Sequence, residues 1–223
     1  MSGFNNDTTN ACQIIHLSDH TKECVDMPDY PISMHQATGA IVSGTLIICG
    51  GRTSTADYLT SCYTFDASYF SWIFLTNLTI PRSQMASVSL DGALWITGGY
   101  TDNGGNEDAT TEIVFLNGTV SAGPMLPSAR DDHCMVNLHD GKVLILGSDG
   151  GSTDQRSSII FDITNKNHAA APRLLFDREG AGCTIFKSAK HNNRHVILVV
   201  GGENTNTAEI YDYTESIEWE ESK

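Results

Sequence analysis

Positive charge is scarce in this chain: 13 Lys and Arg stand against 27 Asp and Glu in 223 residues, a formal net charge of −14. Nucleic-acid surfaces depend on Lys and Arg that displace counterions from phosphates, so that class of partner is excluded. Basic partners or divalent cations suit the balance better. Long apolar runs are also missing, and none approaches the roughly eighteen residues of a membrane-crossing helix. The first ten residues, MSGFNNDTTN, have neither a basic start nor an apolar stretch and so do not form a secretory signal. Two readings follow: a cytosolic protein, or a chain that begins inside a longer one.

The usual signatures of chemistry are absent as well. There is no CxxC pair, hence little case for structural zinc, and no nucleophile elbow for acyl transfer. His191 and His195 are four apart, but HNNRH reads as a polar hairpin loop, where that spacing does not pair two imidazoles on a helix face. GSDGGSTD (Gly147 to Asp154) has no Lys after its glycines and no helix behind it, so it lacks the cation and dipole of a phosphate loop. TDNGGNED (Thr101 to Asp108) carries carboxylates at a spacing unlike that of an EF-hand. Both read as solvated loops, and no catalytic residue, metal site or cofactor is assigned.

What the chain does have is a repeated phrase. TLIICGG (Thr45 to Gly51), ALWITGG (Ala93 to Gly99), KVLILGS (Lys142 to Ser148) and VILVVGG (Val196 to Gly202) each lead through a polar loop to a second apolar run: CYTFD, TEIVF, SIIFD and AEIYD. From Gly50 to Gly98 is 48 residues, from Gly98 to Gly147 is 49, and from Gly147 to Gly201 is 54. Near-continuous apolar runs such as VLIL suit strands covered on both faces. A glycine doublet at their end suits a tight exit with positive φ and close backbone approach. Trp72 and Trp219 follow two of the second runs.

A period near 50 with a glycine doublet, an aromatic and a Trp resembles the kelch repeat. The resemblance implies an all-β fold, a kelch-type β-propeller of four-stranded antiparallel blades, about four and a half of them, incomplete or open. After a flexible segment 1–10, ACQIIHLSD and KECVDMPDYPI supply the last two strands of a partial blade (11–33), followed by blades at 34–80, 81–128, 129–175 and 176–223. The first full blade is expected to use Gln36 to Val42, Leu46 to Cys49, Ser61 to Asp66 and Trp72 to Thr76. Before several inner strands stands an Arg: Arg82, Arg130 and Arg178. These read as scaffold, each bonding backbone carbonyls from repeat to repeat, in preference to a ring that meets an acidic partner.

Six cysteines complete the inventory. Cys49 and Cys62 lie opposite each other in a symmetric hairpin, and Cys12 and Cys24 flank a shorter one; the spacing permits a disulfide in each without requiring it. Cys134 and Cys183 take the same place in successive inner strands and read as small buried residues. Such disulfides would mean an oxidising compartment, extracellular or secreted. N-x-S/T triplets at Asn6, Asn77 and Asn117 are about as many as this composition gives by chance, although Asn77 and Asn117 fall in connections that accommodate a glycan.

The function implied by the resemblance is non-enzymatic protein recognition through loops, with a protein partner that is basic in keeping with the charge, and the chain is either part of a longer protein or an open arc or compact ring of four to five blades. The connections between second and third strands vary while the strands repeat. Their candidate contact residues are Arg52 and Tyr58, Tyr100 and Asp102, Asp149 and Arg156, and Glu203 and Asn204. The alternative is a fragment of a propeller enzyme such as a galactose-oxidase-like copper oxidase, whose His and Tyr ligands have no residue-by-residue match here.

Overall fold

The computed structural model describes residues 8–15, 21, 23–101, 106–149, 155–163, 165–203, 205–216 and 218–222. Apart from a 3-10 turn at Ala189–His191, its regular elements are β-strands. A hairpin of β1 (Cys12–Ile14) and β2 (Val25–Met27) precedes four sheets. Blade one is β3 (Thr38–Val42), β4 (Thr45–Cys49), β5 (Ser61–Asp66) and β6 (Ser71–Asn77). Blade two is β7 (Ala86–Leu90), β8 (Ala93–Thr97), β9 (Thr111–Phe115) and β10 (Val120–Ala122). Blade three is β11 (Cys134–Asn137), β12 (Lys142–Leu146), β13 (Ser158–Asp162) and β14 (Asn167–Ala170). Blade four is β15 (Gly182–Ser188), β16 (Arg194–Val200), β17 (Ala208–Tyr211) and β18 (Glu220–Glu221). Each sheet runs antiparallel in chain order, and the inner strands β3, β7, β11 and β15 stand side by side in sequence. The chain is a β-propeller of four four-stranded blades.

Blade against blade is where the apolar runs go. Ile47 and Cys49 of blade one meet Leu94 and Ile96 of blade two in one buried cluster. Leu90 packs with Val143, Ile145 and Phe161 in the next, and Leu144 and Leu146 with Ile197 and Val199 in the third. Strands covered on both sides have no polar face, which is why their sequence does not alternate. In blades one and four a Trp side chain at the outer edge ties the blade to the segment before it: Trp219 Nε1 donates to the Pro172 carbonyl and Trp72 Nε1 to that of Pro28, both at 2.9 Å. The β1–β2 hairpin thus sits beside blade one as the end of blade three sits beside blade four.

Nearer the axis, a backbone chain links the repeats. Gln36, Gln84, Asp132 and Gly180, each two residues before an inner strand and 48 apart, all have φ between 45° and 64°. The Gln84 amide donates to Gln36 (3.0 Å), Asp132 to Gln84 (2.9 Å) and Gly180 to Asp132 (2.8 Å). On blade four the outward side of β15 exposes Gly182, Thr184 and Phe186, and the hairpin exposes Ile14 and Val25. Apolar groups are therefore diluted with Gly, Thr and Lys187 on the last blade.

Cys49 and Cys62 face each other across β4 and β5, with Cα atoms 4.1 Å apart, and are joined. Two corrections concern the other cysteines. Cys12 and Cys24 are not joined: the register sets Met27 opposite Cys12, while Cys24 stands before β2, three residues out of place, so both thiols are free. Cys134 and Cys183 are not merely small core residues. They are bonded between the inner strands of blades three and four, 6.1 Å Cα to Cα, where strands crowd toward the axis. By loop closure this 49-residue link contributes about 4 kcal/mol and the 13-residue Cys49–Cys62 link about 3. Replacing both Cys134 and Cys183 with Ser is therefore expected to lower the denaturant midpoint more than the equivalent change at Cys49 and Cys62, measured by fluorescence on the oxidised proteins.

Candidate binding face

The three arginines occupy one position of the repeat, and all are buried. Each donates to the carbonyl of the first doublet residue in its own blade: Arg82 to Gly98 (2.8 Å), Arg130 to Gly147 (3.0 Å) and Arg178 to Gly201 (2.7 Å). The link between repeats is made by their backbone instead, since Gly51, Gly99 and Ser148 amides donate to the carbonyls of Arg82, Arg130 and Arg178. In blades two and four a buried Glu completes the site. Glu112 accepts from Arg82 (3.0 Å) and the Thr79 amide (2.6 Å), and Glu209 from Arg178 (2.7 Å) and the Leu175 amide (2.6 Å). Blade three has Ile159 at that position, and the buried Arg130, desolvated with only Glu107 as a counter-charge, is pushed down to about 10. These arginines are spent on the scaffold.

What the scaffold holds up is acidic. The residue after each Arg is Ser83, Asp131 or Glu179, and the next is Gln84, Asp132 or Gly180. Carbonyls and amides around them are fixed by the blade-to-blade bonds, so the side chains of blades three and four are delivered to the loop face together. The Tyr100 hydroxyl of the blade-two loop donates to Asp149 Oδ2 of the blade-three loop at 3.1 Å. Gln155 Nε2 donates to the Asp149 carbonyl (2.7 Å) and to Glu179 Oε2 (3.4 Å), and the Glu203 amide of the blade-four loop donates to the Glu179 carbonyl (2.9 Å). Asp132 accepts a short bond from Gln84 Nε2. Three loops are thus stitched into one surface.

Of the residues expected to contact a partner, Tyr100, Asp149 and Glu203 come together here. Arg52 and Tyr58 pair with each other, the guanidinium carbon 5.3 Å from the ring centroid, while exposed Arg156 lies 3.6 Å from Asp177. Asp102 and Asn204 lie outside the described residues, as do Asn6 and the stretches 102–105 and 150–154 of the two glycine-rich loops. His191 and His195 do not form a pair: His191 Nδ1 bonds Ser188 (2.9 Å), and His195 lies against His139. Sequence reasoning missed Asp131, Asp132 and Glu179. Their signal was the column after each repeat Arg, readable once the 48-residue phase is set.

Asp131 is the unusual member. It is fully buried, and among the described residues neither carboxyl oxygen has a hydrogen-bond partner. Burial, then the charges of Asp132, Asp149 and Glu107, push it up to about 8. Burial and the nearby charges of Asp149 and Glu203 push Glu179 up to about 7. Tyr100 is raised by burial and by Asp131. Beside them His133, buried and bonded to Thr97, is held down to about 3 and stays neutral.

The sign of the pH effect follows. An acid raised in the folded state takes up a proton on folding, so Asp131 and Glu179 lower stability as pH rises from about 4 to about 8. Asp131→Asn is expected to raise the melting temperature at pH 8 and to leave it nearly unchanged at pH 4, flattening the alkaline limb of a melting-temperature profile. Among the described residues no three His, Cys, Asp or Glu side chains are placed to hold one metal ion. A cavity of about 270 Å3, largely apolar, lies between the hairpin and blade one beside Tyr30, Leu46 and Ile48 and is lined by no charged side chain.

The blades, their row of inner strands and the loop face define a β-propeller with an acidic mouth. Among solved structures, that of YjhT matches it with a TM-score of 0.77 over 97% of this chain and 84% of that one, at 12% sequence identity. Identity at that level speaks for the fold alone. No protein-family model matches the chain, and no curated protein matches its sequence.

Proposed function

We propose that the chain is a non-enzymatic protein-recognition module of the kelch type, whose partner seats on the loops that follow the second strand of each blade. The observation that carries this reading is the joining of Tyr100, Asp149, Gln155, Glu179 and Glu203 into one surface by hydrogen bonds between loops of different blades. Loops held this way present a fixed shape, which lowers the ordering cost of association. The kelch-like repeat and the variable loop lengths support it.

The test replaces 53–58 and 203–206 with Gly-Ser segments of equal length, leaving Leu59 and the Arg178 acceptor Thr207 in place, and compares capture of protein partners by the intact and altered chains. The expected result is loss of a partner in the altered chain with an unchanged melting temperature. Equal capture would overturn the reading, as would stoichiometric copper retained after copper loading and dialysis, which would point to an oxidase.

A further inference from the structure

Asn117 stands in the turn between β9 and β10, exposed to solvent, and opens the triplet Asn117-Gly118-Thr119. In a chain so rich in Asn and Thr the triplet alone decides nothing. Its geometry adds more. Asn117 Oδ1 accepts both the amide (3.0 Å) and the hydroxyl (2.7 Å) of Thr119, so the carbonyl edge of the side chain is held within the triplet itself. Its nitrogen, Nδ2, has no acceptor among the described residues. Gly118, at φ 82°, places no side chain against it.

The cysteines supply an independent observation. Cys49 and Cys62 are wholly inaccessible and bonded to each other, and Cys134 and Cys183 are bonded between blades. Thiols that the fold closes off are oxidised while the chain folds, and bonds of this kind belong to an oxidising compartment. That is where an Asn-x-Thr triplet meets a glycosyl donor. The turn also borders apolar surface that a sugar can cover. A Cβ on Gly118 would stand 3.2 Å from the Leu75 carbonyl, so the turn leans on β6 of blade one. Leu116 in the turn is 38% exposed, and Ile73, two residues before Leu75, is 43% exposed.

We propose that Asn117 carries an N-linked oligosaccharide. In the transfer Nδ2 loses one proton and forms a bond to the anomeric carbon of the first sugar, while the lipid-linked pyrophosphate that held this carbon leaves with the bonding electron pair. Asn77, exposed at the end of β6, opens a second triplet. Its Oδ1 is tied to the Thr60 hydroxyl (3.2 Å) and the Leu78 that follows is buried, so it is the lesser acceptor. Successive strands of a blade run in opposite directions, so the β9–β10 turn and the β8–β9 loop leave opposite ends of blade two. The glycan therefore stands at the end away from the loop of Tyr100 and leaves that face free. The proposal does not depend on the recognition reading.

The experiment expresses the full chain behind a cleavable secretory leader in cultured animal cells. Intact mass and peptide mapping are compared before and after treatment with a peptide-N-glycosidase, which releases the sugar and leaves Asp where the modified Asn stood. The expected result is Asp at position 117 after treatment, and one glycan fewer in Asn117→Gln and in Thr119→Val. Thr119→Ser should keep the glycan, and the mapping of the unaltered chain decides the matter even where a variant fails to fold. An unmodified Asn117 in secreted protein with both disulfides closed would overturn the proposal. So would modification of Asn77 alone, or retention of the unaltered chain in the cell as reduced protein without sugar. Glycosylated protein that captures no partner would remove the recognition reading and leave this one standing.

Discussion

Gly98→Val is expected to leave no folded protein at 37 °C, whereas Gly201→Ala at the matching place in blade four is expected to be tolerated with a modest loss. Both glycines sit at similar positive φ, 63° and 68°. Both substitutions therefore carry the cost of left-handed backbone, about 1–2 kcal/mol. They differ in what a Cβ would meet. At Gly98 it would fall on the carbonyl oxygen of Arg130, with the His133 ring 2.9 Å away; at Gly201 nothing among the described residues lies within 4 Å. The Arg130 carbonyl cannot withdraw, since it accepts the Gly99 amide at 2.9 Å. Overpacking costs of about 1–3 kcal/mol then add to the backbone strain, and a β-branched side chain adds more. Gly147→Ala, facing the Arg178 carbonyl at φ 70°, separates the two contributions: its loss of stability in urea should exceed that of Gly201→Ala by about 2 kcal/mol. Equal losses at Gly147 and Gly201 would mean that blade contact contributes nothing at these positions.

The same glycines show why so much of the fold could be read from the residues. A repeat displays its constraints several times, so TLIICGG and ALWITGG mark strand ends that a single copy would leave ambiguous, and the strands of blade one fall within a few residues of expectation. The acidic mouth was less legible. Tyr100, Asp149 and Glu203 stood in loops already singled out, but Asp131 and Glu179 follow scaffold arginines at the head of an inner strand, where the repeat argument assigns structure. Their role depends on which blades carry an acid in that column, and the first two have His35 and Ser83 there. The Cys134–Cys183 bond was hidden for a different reason. It spans two sheets, and the distance between adjacent inner strands is set by the packing of whole blades, which no hairpin spacing reports.

Arg178→Met is expected to cost about 3–5 kcal/mol, because it leaves Glu209 buried and charged with its cation gone. Glu209 is completely inaccessible and takes both the Nε and an Nη donor of Arg178, at 2.9 and 2.7 Å. Its remaining donors, the Leu175 and Phe176 amides, belong to the connection that enters blade four, so the damage should spread to that entry. Arg130→Met tests the converse. Among the described residues Arg130 has no buried Glu partner; it donates to Gly147 and Ser157, and burial pushes it down to about 10. Removing it strands no buried carboxylate, and Met fills similar space, so a loss of about 1–2 kcal/mol is expected from the two hydrogen bonds. Arg178→Met combined with Glu209→Gln should recover part of the single loss, because the stranded charge is removed while the amide contacts persist. The check is urea unfolding of all three proteins at pH 7. If Arg130→Met cost as much as Arg178→Met, the blades would be held by the carbonyl bonds that the two arginines share, and the buried ion pair of blade four would add nothing.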